Sequence, residues 1–318
     1  MKRILKITSL LLAFISLSSC YEDYVHDYDF PSMGFALNRQ VRTVVSTTNQ
    51  IYVGVSIGGK RSVDLKDWAT FTFDQSLLAG TGLKMLPESY YVLADPNTFT
   101  VRKTNLAVAD VGITFTEDFY ADPACLERTY ALPFRLVATS IDAVADSTGA
   151  RDPYGAIREG GQTAVVAIKY ISGFSGTYYK VGSVTEVDAS GNAVGEAQTY
   201  ANTDLTKNGT CVLGTSGRYS VVRPGLGNSA DGSLSLTVSG GDLEKDSEVE
   251  LAIPSGATLV QGSGRWVRQG DYAFYSGDKV APQFNLDYTY SVDGKYYHVT
   301  EKLVLRQWAE RELRVETF

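Results

Sequence analysis

The chain has 318 residues, with 29 Lys and Arg against 36 Asp and Glu, a formal net charge of −7, three cysteines and two histidines. Basic residues fall in isolated pairs such as Lys60-Arg61 and Arg102-Lys103, so the clustered positive surface that phosphate backbones require is missing and nucleic acid is not an expected partner. Cysteines and histidines this widely scattered exclude a disulfide framework and offer no metal-ligand spacing, so no metal and no cofactor is expected.

Lys2, Arg3 and Lys6 precede an apolar run at 7–17, which ends in Leu17-Ser18-Ser19-Cys20. This order of basic region, apolar region and small-residue cleavage site reads as a signal peptide over residues 1–19. The run is too short for a stable membrane-spanning helix. A cysteine after two small residues resembles a lipobox, so Cys20 is expected to carry a lipid that anchors the chain to the outer membrane; the alternative is a plain secretory peptide with a free thiol. Loss of the first 19 residues moves the formal charge to about −10. Residues 20–30 hold Glu22, Asp23, Asp27 and Asp29 with no apolar period, as a flexible tether would. Acidic residues just behind such a cysteine resemble the surface-export signal of Bacteroidota lipoproteins, and a solvated linker is equally compatible.

Beyond the tether, helical periodicity is scarce and period-two alternation recurs, with 30 glycines and 20 tyrosines suited to turns and pleated surfaces. Residues 31–171 are expected to form one β domain. Ile51, Val53, Val55 and Ile57 alternate, as do Val111, Ile113 and Phe115, and then Tyr130, Leu132, Phe134 and Leu136. Asp74 to Gly80 offers a cap, helix formers and a terminating glycine, enough for one helical turn. Trp68, ahead of Phe71 and Phe73, is expected in the core. Residues 142–161 read as a loop, and 163–171 as a strand apolar on both faces and therefore central. Residues 172–176 are expected to act as an interdomain hinge.

Residues 172–318 read as hairpins, with strands at 177–187, 196–201, 218–223, 233–238, 248–253, 264–268, 283–291 and 296–306. About eight antiparallel strands suggest a barrel or closed sandwich, because closure removes exposed edges. In the last hairpin a two-residue turn at Asp293-Gly294 sets Val292 opposite Lys295, Tyr290 opposite Tyr297, Tyr288 opposite Val299, Leu286 opposite Glu301 and Phe284 opposite Leu303. That face is the interior, which leaves Glu301 as a carboxylate among apolar residues. It calls for a buried partner such as an arginine or tyrosine, or it lines a ligand cavity. His298 falls on the opposite, polar face beside Thr289, where a solvated histidine is expected.

No catalytic constellation stands out, and an enzyme is not expected. Gly225-Leu226-Gly227-Asn228-Ser229-Ala230 matches a dinucleotide fingerprint only formally, because a strand rather than a helix follows it. The best candidate for a binding surface is the aromatic cluster Trp266, Tyr272 and Tyr275 with Arg268 and Asp271, since ring faces stack on sugars while polar groups bind hydroxyls. The competing reading places these aromatics in the core. Cys125 and Cys211 are expected as buried thiols.

Val53 to Arg61, Asp67-Trp68-Ala69, Leu77 to Gly82, Leu86 to Tyr91 and Tyr130 to Arg135 together resemble the N-terminal immunoglobulin-like domain of Bacteroidota surface lipoproteins of uncharacterised function. Ala167 to Ile171, Gly176 to Tyr179 and Leu303 to Arg306 resemble the β-barrel domain that follows it there. The resemblance implies an all-β chain, an immunoglobulin-like β-sandwich plus a C-terminal antiparallel β-barrel (lipocalin-like) or closed sandwich. It also implies a glycan or oligosaccharide ligand and a place beside Sus-type transporters of polysaccharide-utilisation loci. The alternatives are a structural or adhesive surface subunit and a cryptic glycoside hydrolase.

Overall fold

The computed structural model describes residues 30–318 apart from 61, 144, 146, 147, 274–279 and 315. Cys20, the tether up to residue 29 and Tyr275 lie outside the described residues. The chain is all-β, built as two successive sheets. The first holds β1 (Ser32–Gly34), β2 (Arg39–Val45), β3 (Gln50–Gly58), β4 (Trp68–Phe73), β5 (Lys84–Met85), β6 (Tyr91–Leu93), β7 (Thr98–Thr100), β8 (Val108–Phe115), β9 (Tyr130–Thr139) and β10 (Thr163–Ile171). Its order is β1-β3-β8-β7-β4-β9-β10-β2, with β5 on β9 and β6 on β8. A single residue pair, Thr100 with Asp110, joins β7 to β8, so the two layers of the sandwich are one sheet curled around a core.

Alternation decides which side chains fill that core. Val53, Val55 and Ile57 of β3 meet Val111, Ile113 and Phe115 of β8 and Leu132, Phe134 and Leu136 of β9. Phe71 stacks on Phe99 at 4.4 Å and meets Phe134 edge-on at 5.1 Å. Ala69 and Phe71 point inward, so the same parity turns Trp68 out, where it is 37% exposed. The expectation that Trp68 is core is corrected by that alternation. Strand β10 lies between β9 and β2 and buries both faces, Val166 and Ile168 toward the main core and Val165 and Ala167 toward a smaller cluster. The turn after β4 is a 3-10 helix, Gln75–Leu78, whose Asp74 side chain accepts from the Ser76 N–H.

Asp122 organises a second local knot. It caps the 3-10 helix Pro123–Leu126 through the Ala124 N–H at 2.9 Å and accepts from the Tyr130 and Tyr90 hydroxyls at 2.8 and 3.0 Å. These donors, the backbone bond foremost, hold its carboxyl below the usual carboxylate range. Burial pushes the adjacent Cys125 thiol up to about 12; Cys125 and Cys211 are both free and buried, as expected.

The second sheet contains β11 (Gly176–Val187), β12 (Gln198–Tyr200), β13 (Thr210–Thr215), β14 (Ser220–Pro224), β15 (Ser233–Val238), β16 (Ser247–Ser255), β17 (Thr258–Val267), β18 (Gln283–Val292) and β19 (Lys295–Trp308). Strands β13 to β19 run in sequence order as an antiparallel meander, and β11 pairs with both β13 and β19. The sheet therefore closes into an eight-stranded barrel, with β12 added along the outer part of β11. Strand β13, around Cys211, is an addition to the strands expected from sequence. The β18–β19 register is the expected one throughout, from Val292 opposite Lys295 to Phe284 opposite Leu303. Asp293 and Gly294 both take positive φ, 49° and 78°, as a tight two-residue hairpin turn requires.

Residues 172–176 are a packed junction rather than a hinge. Ser172, Phe174 and Ser175 are buried, the Ser172 N–H donates to Thr215 at 2.9 Å and the Gly173 N–H to Ser46 at 3.1 Å. Ser46 in turn donates to the Arg218 carbonyl at 2.7 Å, and the Arg218 guanidinium pairs with Glu117 and lies 4.3 Å over the Tyr120 ring. Near the end of the chain the Val41 N–H donates to the Glu316 carbonyl at 2.8 Å, and Phe318 packs against the small cluster of Val41, Leu78, Ala131, Val165 and Ala167. Both tethers join the barrel to the first domain at one end of the barrel.

Two outcomes follow. Because the folded Asp122 carboxyl ionises at lower pH than in the unfolded chain, its stabilisation is complete above about pH 4 and is lost as pH falls through the folded pKa. Urea midpoints measured from pH 7 down to pH 3 should show a shallower acid decline for Asp122→Asn than for the unchanged chain. Trp266 is fully buried, 4.8 Å from Phe284 and 5.1 Å from Phe174. Trp266→Ala should therefore cost about 3–5 kcal/mol in denaturant unfolding.

Candidate binding cleft at the barrel mouth

Strand β14 leaves the junction end at Ser220 and reaches the far end at Pro224, so the connection at 225–232 lies at the mouth remote from the first domain. Alternation along β14 directs Val221 and Arg223 inward together, and Arg223 is 0% exposed. A guanidinium inside a barrel needs an acceptor, and the opposite wall supplies Glu301, whose carboxylate pairs with it in complete burial. Glu301 also accepts from the Tyr200 hydroxyl at 3.1 Å. Tyr200 reaches it because Gly182 has no side chain: a Cβ there would sit 3.0 Å from the Tyr200 hydroxyl and 2.4 Å from the Thr300 carbonyl. The sequence had foreseen a buried partner for Glu301, an arginine or a tyrosine; both are present.

Burial raises the Glu301 carboxyl, an effect that Arg223 opposes. Burial likewise drives the Tyr288 and Tyr200 hydroxyls well above their ordinary range and the Cys211 thiol up to about 11.

The same arginine fixes the loop at the mouth. Arg223 donates to the Gly227 carbonyl, and the Gly227 N–H donates to the Tyr288 hydroxyl at 2.8 Å. Gly227 adopts φ 53°, and a Cβ would meet Val299 at 3.2 Å. Leu226 drops into the barrel core, so the loop plugs the mouth while its next residues turn outward. The result is a cleft of 410 Å³ lined by Asn228, Ser229 and Asp231 of the loop, Gln198 of β12, and Tyr290, Asp293 and Tyr297 of the last hairpin, with Val184, Leu226, Gly256, Ala257 and Val292 between them. Tyr290 and Tyr297 stack at 5.3 Å and 27°. Ser229 and Asp231 bond each other, whereas the side chains of Gln198, Asn228 and Asp293 make no hydrogen bond within the described residues.

The aromatic cluster favoured by the sequence is not one surface. Trp266 is inside the barrel, its indole N–H donating to the Leu243 carbonyl at 3.3 Å, so it presents no ring face to a ligand. Arg268 is paired at 2.6 Å with Glu244 at the junction end. Asp271 bonds Lys302 and Gln283 on the outer wall, at 2.6 and 2.8 Å, and Tyr272 packs there against Val181, Ala281 and Val304. Trp266 and Tyr272 thus lie on opposite faces of the wall. His298 is partly exposed beside Asp287, on the polar face expected for it. Sequence reasoning had paired Tyr290 with Tyr297 and read the 225–230 segment as a turn, without joining them. The usable signal was an interior tyrosine pair next to the hairpin turn, with polar residues in a glycine-rich loop of the same domain.

Fold and cleft define a two-domain all-β protein with a plugged up-and-down barrel. A family model described as a "-like, N-terminal domain" matches residues 28–143. A structural-genomics protein of unknown function from Bacteroides ovatus shares the fold at TM-score 0.67 and 16% identity, covering 91% of this chain and 99% of that one. A multidomain protein including DUF1735, also from Bacteroides ovatus, aligns at TM-score 0.39 and 13% identity over 87% of this chain and 94% of its own. No curated protein matches the chain. The chain is thus similar in fold to a Bacteroides ovatus protein of unknown function.

Glu301→Ala would strand a buried guanidinium and should cost about 3–5 kcal/mol, whereas replacing the Arg223 and Glu301 pair together with Met and Leu should cost less than Glu301→Ala alone. Denaturant unfolding of the two variants checks this order.

Proposed function

We propose that the protein is a non-catalytic glycan-binding lipoprotein, anchored in the outer membrane through Cys20, facing the cell exterior and working beside a Sus-type transporter. The observation that carries the reading is the mouth cleft: a stacked tyrosine pair bordered by Gln198, Asn228 and Asp293, whose side chains make no hydrogen bond within the described residues, and by Asp231, which bonds Ser229. Sugar rings offer apolar faces to such rings and hydroxyls to such groups. Its place at the end of the barrel away from the first domain suits a module that holds its site away from an anchor. The lipid, the surface location and the transporter rest on the signal-peptide pattern and the family resemblance.

The non-catalytic part of the reading rests on the sequence, where no catalytic constellation stands out, and the binding experiment below tests it directly.

Glycan-array screening of the chain beginning after Cys20, followed by calorimetry on each hit, tests the proposal. Saturable binding without change in the sugar is expected, and Tyr297→Ala or Asn228→Ala should weaken it by about tenfold or more. Binding that ignores both variants would move the site elsewhere, chain cleavage would make the protein a hydrolase, and no binding to any host or plant glycan would favour a structural or adhesive subunit.

A further inference from the structure

The charged groups that line the mouth cleft are of one sign. Two lining residues, Asp231 and Asp293, are carboxylates, and no Lys, Arg or His lines the cleft. Arg223 lies behind the floor, but its charge is matched by Glu301 inside the barrel and its hydrogen bonds go to Glu301 and the Gly227 carbonyl. Lys295, beside the hairpin turn, is held 3.3 Å from Glu186. The field felt by a ligand in the cleft is therefore set by two uncompensated acidic groups.

Hydrogen-bonding capacity points the same way. The carboxylate oxygens of Asp231 and Asp293 are acceptors, and the donors available in the cleft are the amides of Gln198 and Asn228 and tyrosine hydroxyls, all uncharged. The Ser229 hydroxyl is already turned toward Asp231. A hydroxyl-rich ring meets this lining well, because each sugar hydroxyl can donate to a carboxylate or amide oxygen. A sulfate or uronate group brings acceptors and a negative charge to a place that has no cation for it. Removing such a group from water without a charge-assisted partner is costly, and the carboxylates add repulsion.

We infer that the cleft selects uncharged glycans, neutral hexose or pentose oligosaccharides, and excludes uronate-rich and sulfated ones. This inference rests on the glycan-binding reading of the same cleft and adds the class of ligand. Stacking on the Tyr290–Tyr297 pair supplies affinity to any sugar with an apolar face, and Asp231 and Asp293 decide which of them enter.

The test uses the full lipidated chain in a detergent without a sugar headgroup. Calorimetry compares neutral oligosaccharides (xylo-, manno-, gluco- and galacto-series) with oligogalacturonate and chondroitin sulfate oligosaccharides of matched length, each at low and high salt. Neutral ligands are expected to bind with little salt dependence, and acidic ones at least about tenfold more weakly at low salt. The double variant Asp231→Asn/Asp293→Asn should narrow that gap, since the amides keep the shape and remove the charge. Acidic oligosaccharides that bind as tightly as neutral ones, with Tyr297→Ala abolishing both, would overturn the charge selection and leave the cleft as a glycan site. A gap unchanged in the double variant would overturn the role of the two aspartates. Binding of neither class would overturn the glycan reading and the inference together.

Discussion

A guanidinium and a carboxylate enclosed in one β-barrel must find each other, because either alone would face a desolvation cost that no apolar neighbour offsets. The pairing of Arg223 with Glu301 ties β14 to the opposite wall at β19, calls in Tyr200 from β12 past the bare backbone of Gly182, and leaves one arm of the guanidinium for the Gly227 carbonyl. The loop at the mouth is consequently fixed from beneath. Each residue it presents to solvent, Asn228, Ser229 and Asp231, owes its place to a charge that solvent never reaches. Replacing such a pair by hydrocarbon can be neutral for stability; here the pair also bonds the mouth loop at the Gly227 carbonyl.

Closure of the barrel makes that arrangement durable. An open meander would leave β13 and β19 with unpaired backbone edges, and the long β11 satisfies both. The barrel then has two distinct ends. One is consumed by the junction, where Arg218, Ser46 and Thr215 lock it to the first domain and the chain returns through Glu316 to the edge of β2. The other carries the plug and the cleft. A buried connector and a returning tail thus both fasten the barrel to the first domain at the end opposite the cleft.

The aromatic residues divide according to this geometry. Phe174, Trp266, Phe284 and Tyr178 pack the junction half of the barrel, whereas Tyr288, Tyr290 and Tyr297 form a series of rings rising toward the mouth, 6.2 Å and then 5.3 Å apart. Rings in the first group are sealed by the connector and by Trp308. In the second, Tyr288 and Tyr290 are still buried, and Tyr297, partly exposed, lines the cleft beside Tyr290. An aromatic-rich segment in the sequence is thus a poor guide to a binding surface: Trp266 sits among charged and turn-forming neighbours and is completely enclosed.

Local patterns alone determined the all-β class, the alternation along β3, β8 and β9, the tight turn at Asp293-Gly294 and the complete register and inward face of the last hairpin, because a period of two and a positive-φ turn are properties of neighbouring residues. They also identified Glu301 as an anomaly and named the kinds of partner it would need. Trp68 shows that the same parity must be followed strictly, since its position one place from Ala69 already turned it outward. Which arginine answered Glu301, that Gly227 closed the mouth, and that Gln198, Asp231 and Asp293 met around Tyr290 and Tyr297 were decided only when β11 paired with β19. These residues are up to about a hundred positions apart, and no periodicity links them; closure of the barrel brings them together through backbone hydrogen bonds that are indifferent to side-chain identity.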